Sequence, residues 1–107
     1  KAVKNPTVGF TIYNRLGTEI FGTNTKNLDT ELGTLQVNSR IVVRFKLPMA
    51  LGAGSYSISV AAHENFSHID KNYDWIDNAL IFKILPRTKN IFVGCVEIQT
   101  KIEVTPI

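Results

Sequence analysis

Short stretches of alternating polar and apolar residues are the feature that most restricts how this chain can fold. The clearest are Thr7–Tyr13, Ser39–Leu47 and Ser55–Ala62. A period of two places successive side chains on opposite sides of an extended backbone, so each stretch predicts a β-strand with one buried side. Turn residues follow in Asn14–Gly17 and Gly52–Gly54, and no segment has a convincing helical period. The pattern therefore predicts an all-β domain.

The second half of the chain extends this architecture. Ala79–Leu85 predicts another strand, and His63–Asn78 before it predicts a long loop, of a length at which loops are usually functional. Ile91–Val104 also alternates, and at about 3.3 Å per residue it would span roughly 46 Å, longer than an ordinary strand. Either Gly94 breaks this segment with a bulge, or its end leaves the domain and pairs with another copy.

The composition is that of one globular domain covering residues 1–107. A hydrophobic content of 44% is enough for a buried core. The net charge is +3, but the Lys and Arg residues are scattered, whereas a nucleic-acid-binding surface would concentrate them. Nucleic acid is therefore not expected as a partner.

The cysteine usage and the chain start bear on the cellular compartment. Cys95 is the single cysteine, so no internal disulfide can form, and its place in the apolar run Ile91–Val96 predicts a small buried side chain. A chain without paired cysteines favours a reducing compartment. Lys1–Gly9 has no apolar core of signal-peptide length, and no apolar run approaches the roughly 20 residues that cross a bilayer.

The outward faces of two strands are the candidate binding surface, because small and hydroxylated residues there would leave a shallow, wet groove. These residues are Gly9, Thr11, Tyr13, Ser57 and Ser59, with Ala61 on the same face of the second strand. Hydroxyl groups can hydrogen-bond to sugar hydroxyls, and aromatic rings offer flat surfaces to sugar C–H groups. The alternative is a plain solvated strand face, since antiparallel sheets commonly expose one side.

Other candidate contacts lie outside these two strand faces. The loop residues His63, Tyr73 and Trp75 are possible contacts, and Arg44 and Lys83 would add charge complementarity to a phosphate or an acidic sugar. Whether the two cations share the sheet face of the other candidates is left open by the pattern.

Polar and aromatic residues in the predicted loops also have structural interpretations. Trp75 could stack on a sugar ring, but we interpret it as a plug that caps one end of the fold. Asp77 and Asn78 precede a strand and are predicted to hydrogen-bond to their own loop backbone. Asn24, between two threonines, is interpreted as a turn residue in the same way.

Metal and catalytic sites are poorly supported by the sequence. His63 and His68 have no third zinc ligand at a matching position, and the aspartates of the loop lack the regular spacing of a calcium loop. A glycosidase would need Glu64 held at a fixed distance from Asp74 or Asp77, which a loop does not provide. We expect no catalysis, no bound metal and no cofactor.

Four motifs in order carry a family resemblance: VGFTIYNRLG, IFGTNT, LGAGSYSISVAAHE and YDWIDNALIFKI. They resemble the C-terminal domain of Wzt-type proteins, the nucleotide-binding subunits of ABC transporters that export O-antigen polysaccharide across the bacterial inner membrane. The resemblance runs from about residue 7 to residue 85, with a looser fit beyond. The ATPase half of such proteins is not represented, because no G-x-x-x-x-G-K-[ST] motif occurs.

The resemblance implies an antiparallel β-sandwich, immunoglobulin-like or jelly-roll in type, that binds the exported glycan noncatalytically through its modified terminus. It implies a homodimer formed by exchange of C-terminal strands, and a cytoplasmic place at the inner membrane beside the ATPase domain and the membrane-spanning subunit. The first sandwich strands of the family are expected before Lys1. The rival interpretation is an immunoglobulin-like dimerisation module that binds no glycan.

Overall fold

Four antiparallel strands form the framework in a computed structural model that describes residues 2, 4–65 and 70–107, without the side chains of 65 and 70–74. They are β1 (Pro6–Asn14), β2 (Glu19–Asn24), β3 (Gly54–Asn65) and β4 (Asp70–Ile84). The four strands make one sheet in the order β2-β1-β3-β4. The predicted all-β antiparallel architecture is confirmed, and no helix that could span a membrane occurs among the described residues.

The β1–β2 hairpin has the predicted turn. The Asn14 side-chain Oδ1 accepts hydrogen bonds from the backbone N–H groups of Leu16 and Thr18, both at 2.9 Å. Gly17 has φ of 82°, in the left-handed region that glycine enters without a steric penalty. An asparagine that satisfies the turn backbone is thus followed by the residue that permits the reversal of the chain.

An unbroken register between β1 and β3 produces the apolar face. It runs from Pro6 opposite Glu64 to Asn14 opposite Tyr56 and pairs Ile12 with Ile58. The buried residues of the core are Phe10, Ile12, Leu51 and Tyr56. Because side chains alternate along both strands, Val8, Phe10 and Ile12 of β1 fall on the same side of the sheet as Tyr56, Ile58 and Val60 of β3, as the sequence predicted.

Aromatic contacts and one buried hydroxyl hold this core together. Phe10 meets Phe45 edge-to-face at 4.9 Å, and Tyr56 stacks on Phe82 at 5.6 Å between ring centroids. The Tyr56 hydroxyl donates a hydrogen bond of 2.7 Å to the Gly52 carbonyl. Burial, and secondarily the nearby Cys95, raises the pKa of the Tyr56 phenol, because the phenolate would lose its hydration there.

The prediction of a long loop over His63–Asn78 is wrong. β3 continues to Asn65, and β4 starts at Asp70, while residues 66–69 of the proposed loop lie outside the described residues. The polar composition of this stretch suggested a loop because strand prediction depends on apolar alternation. A strand that pairs along β3 at the edge of the sheet can keep many polar side chains, since its backbone groups are satisfied by the neighbouring strand.

A large irregularity interrupts the β3–β4 pairing at the middle of the sheet. Val60 pairs with Ile76, but Ile58 pairs with Leu80, so three residues of β4 face Ser59 alone. Asn78 lies in this bulge with φ of 51°, a conformation that asparagine tolerates better than most residues. The bulge moves the side chains on either side of it and will matter for the candidate site.

Two predicted strands are not strands in the structure. Ser39–Leu47 has no strand assignment, although it crosses the apolar face, where Val43 and Phe45 are partly buried and Arg44 is exposed. Alternation thus predicted which side chains of the segment face the sheet. It did not predict that the segment has no hydrogen-bonded partner strand within the described ranges. In the described part of the chain this segment, and not a second sheet, covers the apolar face.

Ile91–Val104 also lacks a strand assignment. It touches the domain through an isolated bridge between Leu51 and Val96, where the Gly52 N–H donates to the Cys95 carbonyl at 2.8 Å. The prediction of a buried Cys95 is wrong, because its side chain is exposed where the segment runs along the surface. Exchange of this segment between two copies stays a prediction.

Substituting Gly9 with alanine should destabilise the β1–β2 pair by about 1–3 kcal/mol, because a Cβ there would overpack the strand contact. That Cβ would lie 2.7 Å from Asn24 Cβ and 2.8 Å from the Thr23 carbonyl oxygen. Urea unfolding of the variant measures the loss. Gly22→Ala is the matched control, since its Cβ would lie no closer than 3.0 Å to Thr11 Oγ1. Equal losses in the two variants would contradict this explanation.

Candidate functional site

A concave surface of about 310 Å³ lies on the polar face of the sheet, opposite the core. We call it the trough. Its β1–β2 side is made by Gly9, Phe10, Thr11, Gly22, Thr23, Asn24 and Asn27. Its β3–β4 side is made by Ser59, Ala61, His63 and Trp75. The trough therefore crosses all four strands.

Strand register explains why these side chains meet. Gly9 is opposite Ala61, and Thr11 is opposite Ser59, on β1 and β3. Ala61 is in turn opposite Trp75 on β4. Residues directly opposite each other in antiparallel strands project to the same face, so small residues form the floor and the Trp75 ring stands at one side.

The floor depends on a close approach of β1 to the end of β2. Gly9 pairs with Asn24, and the space of a Gly9 Cβ is already occupied by Asn24 Cβ and the Thr23 carbonyl. Gly9 is thus needed for the strand contact itself. The same missing side chain leaves the centre of the trough open.

Asn24 is the turn residue that the sequence predicted. Its Oδ1 accepts a hydrogen bond of 2.6 Å from the Asn27 backbone N–H, and its carbonyl accepts one of 3.1 Å from the Leu28 N–H. These bonds fold the segment after β2 back over the sheet and bring Asn27 to the trough. With Oδ1 engaged in the turn, the Asn24 side-chain amide nitrogen retains its capacity to donate.

Trp75 is held by an acidic residue of the β4 bulge. Its Nε1–H donates to Asp77 Oδ1 at 2.7 Å, and the Ser59 hydroxyl donates to the same oxygen at 3.2 Å. The Trp75 side chain is 53% exposed, and the neighbouring Ile76 pairs with Val60 on the apolar side. The interpretation of Trp75 as a plug is therefore wrong: the ring lines the trough and is fixed by its polar edge.

Asp77 also differs from the sequence interpretation. It was predicted to bond to its own loop backbone, whereas its carboxylate accepts from two side chains on different strands. The bulge opposite Ser59 is what brings the carboxylate within reach of both. A charged acceptor shared by an indole N–H and a hydroxyl is a strong way to set the orientation of an exposed ring.

Among the described lining residues of the trough, His63 is the one with an acid–base side chain. His63 contributes to the wall, and its Nδ1 is buried without a hydrogen-bond partner. His68, proposed with it as a zinc ligand, lies outside the described residues. Among the described residues no group of three or more His, Cys, Asp or Glu could hold a metal ion.

A family model named the Wzt C-terminal domain matches residues 1–98 of the chain. The chain belongs to this family. A crystal structure titled as the C-terminal domain of Wzt is similar to it, with a TM-score of 0.76 at 20% sequence identity. The alignment covers 97% of this chain and 63% of that one. A comparison with curated proteins gives no match.

In this Wzt C-terminal domain, five of the predicted contact residues lie together in the trough. They are Gly9, Thr11, Ser59, His63 and Trp75. Tyr13 and Ser57 pair with each other on the same face, beyond the end of the trough. Lys83 pairs with Ser55 farther along the same direction. The side chain of Tyr73 lies outside the described residues.

Arg44 is not brought to this face. Its segment crosses the apolar face through Val43 and Phe45, and Arg44 itself is exposed. The proposed pairing of Glu64 with Asp77 is not assembled either, and the side chain of Asp74 lies outside the described residues. Glu64 is buried and accepts a 2.6 Å hydrogen bond from the Lys4 backbone N–H, and its register places it on the side of the sheet away from Asp77.

Sequence reasoning missed several members of the trough of this Wzt domain. The missed lining residues are Gly22, Thr23 and Asn27. Ala61 lies in the lining on the outward face of β3 where the sequence placed it with Ser57 and Ser59. Asn27 had no signal in the sequence, because only the turn closed by Asn24 brings it to the sheet.

Proposed function

We propose that this Wzt C-terminal domain binds O-antigen polysaccharide without transforming it. The observation that supports the proposal is the trough, where hydroxyl and amide groups surround a half-exposed tryptophan whose orientation is fixed by Asp77. Sugars present both hydroxyl groups and flat patches of C–H groups, so this combination matches their chemistry. The modified terminus of the chain is the proposed target.

Binding in this way couples the glycan to its exporter. Family membership supports a place in the cytoplasm at the bacterial inner membrane, beside the ATPase domain and the membrane-spanning subunit of the same ABC transporter. Holding a finished chain there raises its effective concentration at the transporter. Each hydrogen bond exchanged with water contributes only about 1 kcal/mol, so we expect weak affinity per site and rapid release.

The exposed C-terminal segment supports a homodimer formed by strand exchange. Ile98, Ile102 and Val104 are each at least 79% exposed, which leaves a line of apolar side chains with no cover in the described chain. Pairing with a second copy would bury them. The same observation favours the rival function, a dimerisation module that binds no glycan.

Thr11→Trp should reduce binding of purified O-polysaccharide by roughly tenfold or more, because an indole ring in the floor would fill the trough. Thr11 lies at the centre of the lining, opposite Ser59. Isothermal titration calorimetry measures the affinity. Urea unfolding with an unchanged midpoint shows that the variant remains folded.

Tyr13→Ala is the matched control. Tyr13 shares the strand and the face but lies outside the trough, so its loss should leave the affinity within about twofold. Equal binding by Thr11→Trp and the unsubstituted domain would exclude the trough. A domain that dimerises but ignores every bacterial polysaccharide would support the dimerisation module instead.

A further inference from the structure

The charge of the trough carries an inference about which sugars it accepts. The lining residues are threonines, serine, asparagines and glycines together with Phe10, Ala61, His63 and Trp75. None of the described side chains that line it belongs to a Lys, Arg, Asp or Glu residue. Sites that bind phosphate or carboxylate groups normally use Arg, Lys or a helix N-terminus. The described trough offers none of these.

The basic residues near the trough are directed elsewhere. Lys26 follows Asn24 in the turn, but it lines a different cavity together with Asp29 and Glu31. Lys83 pairs with Ser55, beyond Ser57 on the β3 strand. The net charge of +3 is therefore not concentrated in the described lining of the trough.

A negative charge lies directly beside the trough. Asp77 lies behind Trp75 and Ser59, with its Oδ1 2.7 Å from Trp75 Nε1 and 3.2 Å from Ser59 Oγ. A phosphate or uronic acid stacked on the indole would approach this carboxylate. The negative charge of the ligand and the Asp77 carboxylate would repel each other, and the repulsion is stronger where protein replaces water.

We propose that the trough selects an uncharged saccharide unit and discriminates against anionic ones. The inference deepens the proposed polysaccharide binding and rests on it. A neutral ring places its C–H face on Trp75 and its hydroxyls against Thr11, Asn24 and Asn27. A volume of about 310 Å³ is at the lower end for ligand sites, which fits one or two sugar units of a longer chain.

Two sets of purified bacterial O-polysaccharides test this selection, one built from neutral sugars and one carrying phosphate or uronic acid. Trp75 is the single tryptophan of the chain, so its fluorescence reports binding directly. Matched methyl glycosides, glucoside against glucuronide and mannoside against mannoside 6-phosphate, isolate the charge on one ring. The neutral member of a bound pair should bind roughly tenfold more tightly than its anionic partner.

Asp77→Asn separates charge from structure. Asparagine keeps an Oδ1 acceptor for the Trp75 N–H but carries no charge. We expect the gap between the paired glycosides to become smaller, and this ratio of two affinities reports the charge even where the weaker neutral acceptor lowers both of them. A purely structural Asp77 would leave that gap unchanged.

The outcomes separate the inference from the proposed function. Anionic polysaccharides that bind as tightly as neutral ones, or more tightly, would overturn the charge selection and leave polysaccharide binding standing. Failure of both sets to change the fluorescence or to give heat in calorimetry would overturn polysaccharide binding, and the selection with it.

Discussion

Replacing Ile12 with alanine should lower the free energy of unfolding by about 3 kcal/mol, because buried isoleucine-to-alanine changes lose transfer energy and leave a cavity. Ile12 is 2% exposed and lies on β1 between Ile58 on β3 and Phe21 on β2. Small domains have a total stability of about 5–15 kcal/mol, so this is a large fraction. Urea unfolding followed by Trp75 fluorescence measures the change.

Leu16→Ala is the matched control. Leu16 is 80% exposed in the β1–β2 turn, and truncating a side chain that remains in water should change stability by less than about 0.5 kcal/mol. The two variants remove similar aliphatic groups from neighbouring positions in the sequence. Similar unfolding midpoints for both would contradict the assignment of the core to the face of β1 that carries Phe10 and Ile12.

The strands that the sequence predicted well are those that have one apolar and one polar face. β1 and β3 lie next to each other in the interior of the sheet, so their alternation reports directly on the buried side. Gly9, Thr11 and Ser59 could therefore be assigned to polar strand faces from the sequence alone. Their meeting in one trough required only that β1 and β3 pair in this register.

The first half of β4 could not be predicted in the same way. An edge strand is paired on one side only, and its polar side chains can remain in water while its backbone pairs with β3. The bulge adds residues opposite Ser59 and interrupts the alternation between Ile76 and Leu80. Local composition contains no information on such a bulge, so the orientation of Trp75 was also wrongly predicted.

The position of Arg44 relative to the trough was left open by the sequence for a different reason. Alternation in Ser39–Leu47 correctly predicted that Phe45 faces the core, which its 4.9 Å contact with Phe10 confirms. It also correctly predicted that Arg44 points outward. This segment covers the apolar face, however, so a side chain that points outward from it points away from the trough. The direction of a side chain can be predicted from a period of two, but the layer to which its segment belongs cannot.

Trp75→Ala should weaken polysaccharide binding by roughly tenfold to a hundredfold, the largest effect that we expect on binding. A stacked aromatic ring contributes through buried apolar area and through about 0.5–1.5 kcal/mol beyond that area. The ring is 53% exposed without ligand, so contact with a sugar would remove much of its surface from water. Calorimetry measures the affinity, because this variant lacks the only tryptophan of the chain.

Trp75→Phe distinguishes the aromatic surface from its orientation. Phenylalanine keeps a flat apolar face but has no N–H for the 2.7 Å bond to Asp77 Oδ1. An intermediate loss, smaller than that of Trp75→Ala, is expected if both the surface and its fixed direction matter. Full affinity in Trp75→Phe would show that the ring alone suffices and that Asp77 does not orient it. Full affinity in Trp75→Ala would contradict stacking on an indole altogether, since the ring of Phe10, the other large aromatic residue described in the lining, is buried in the core.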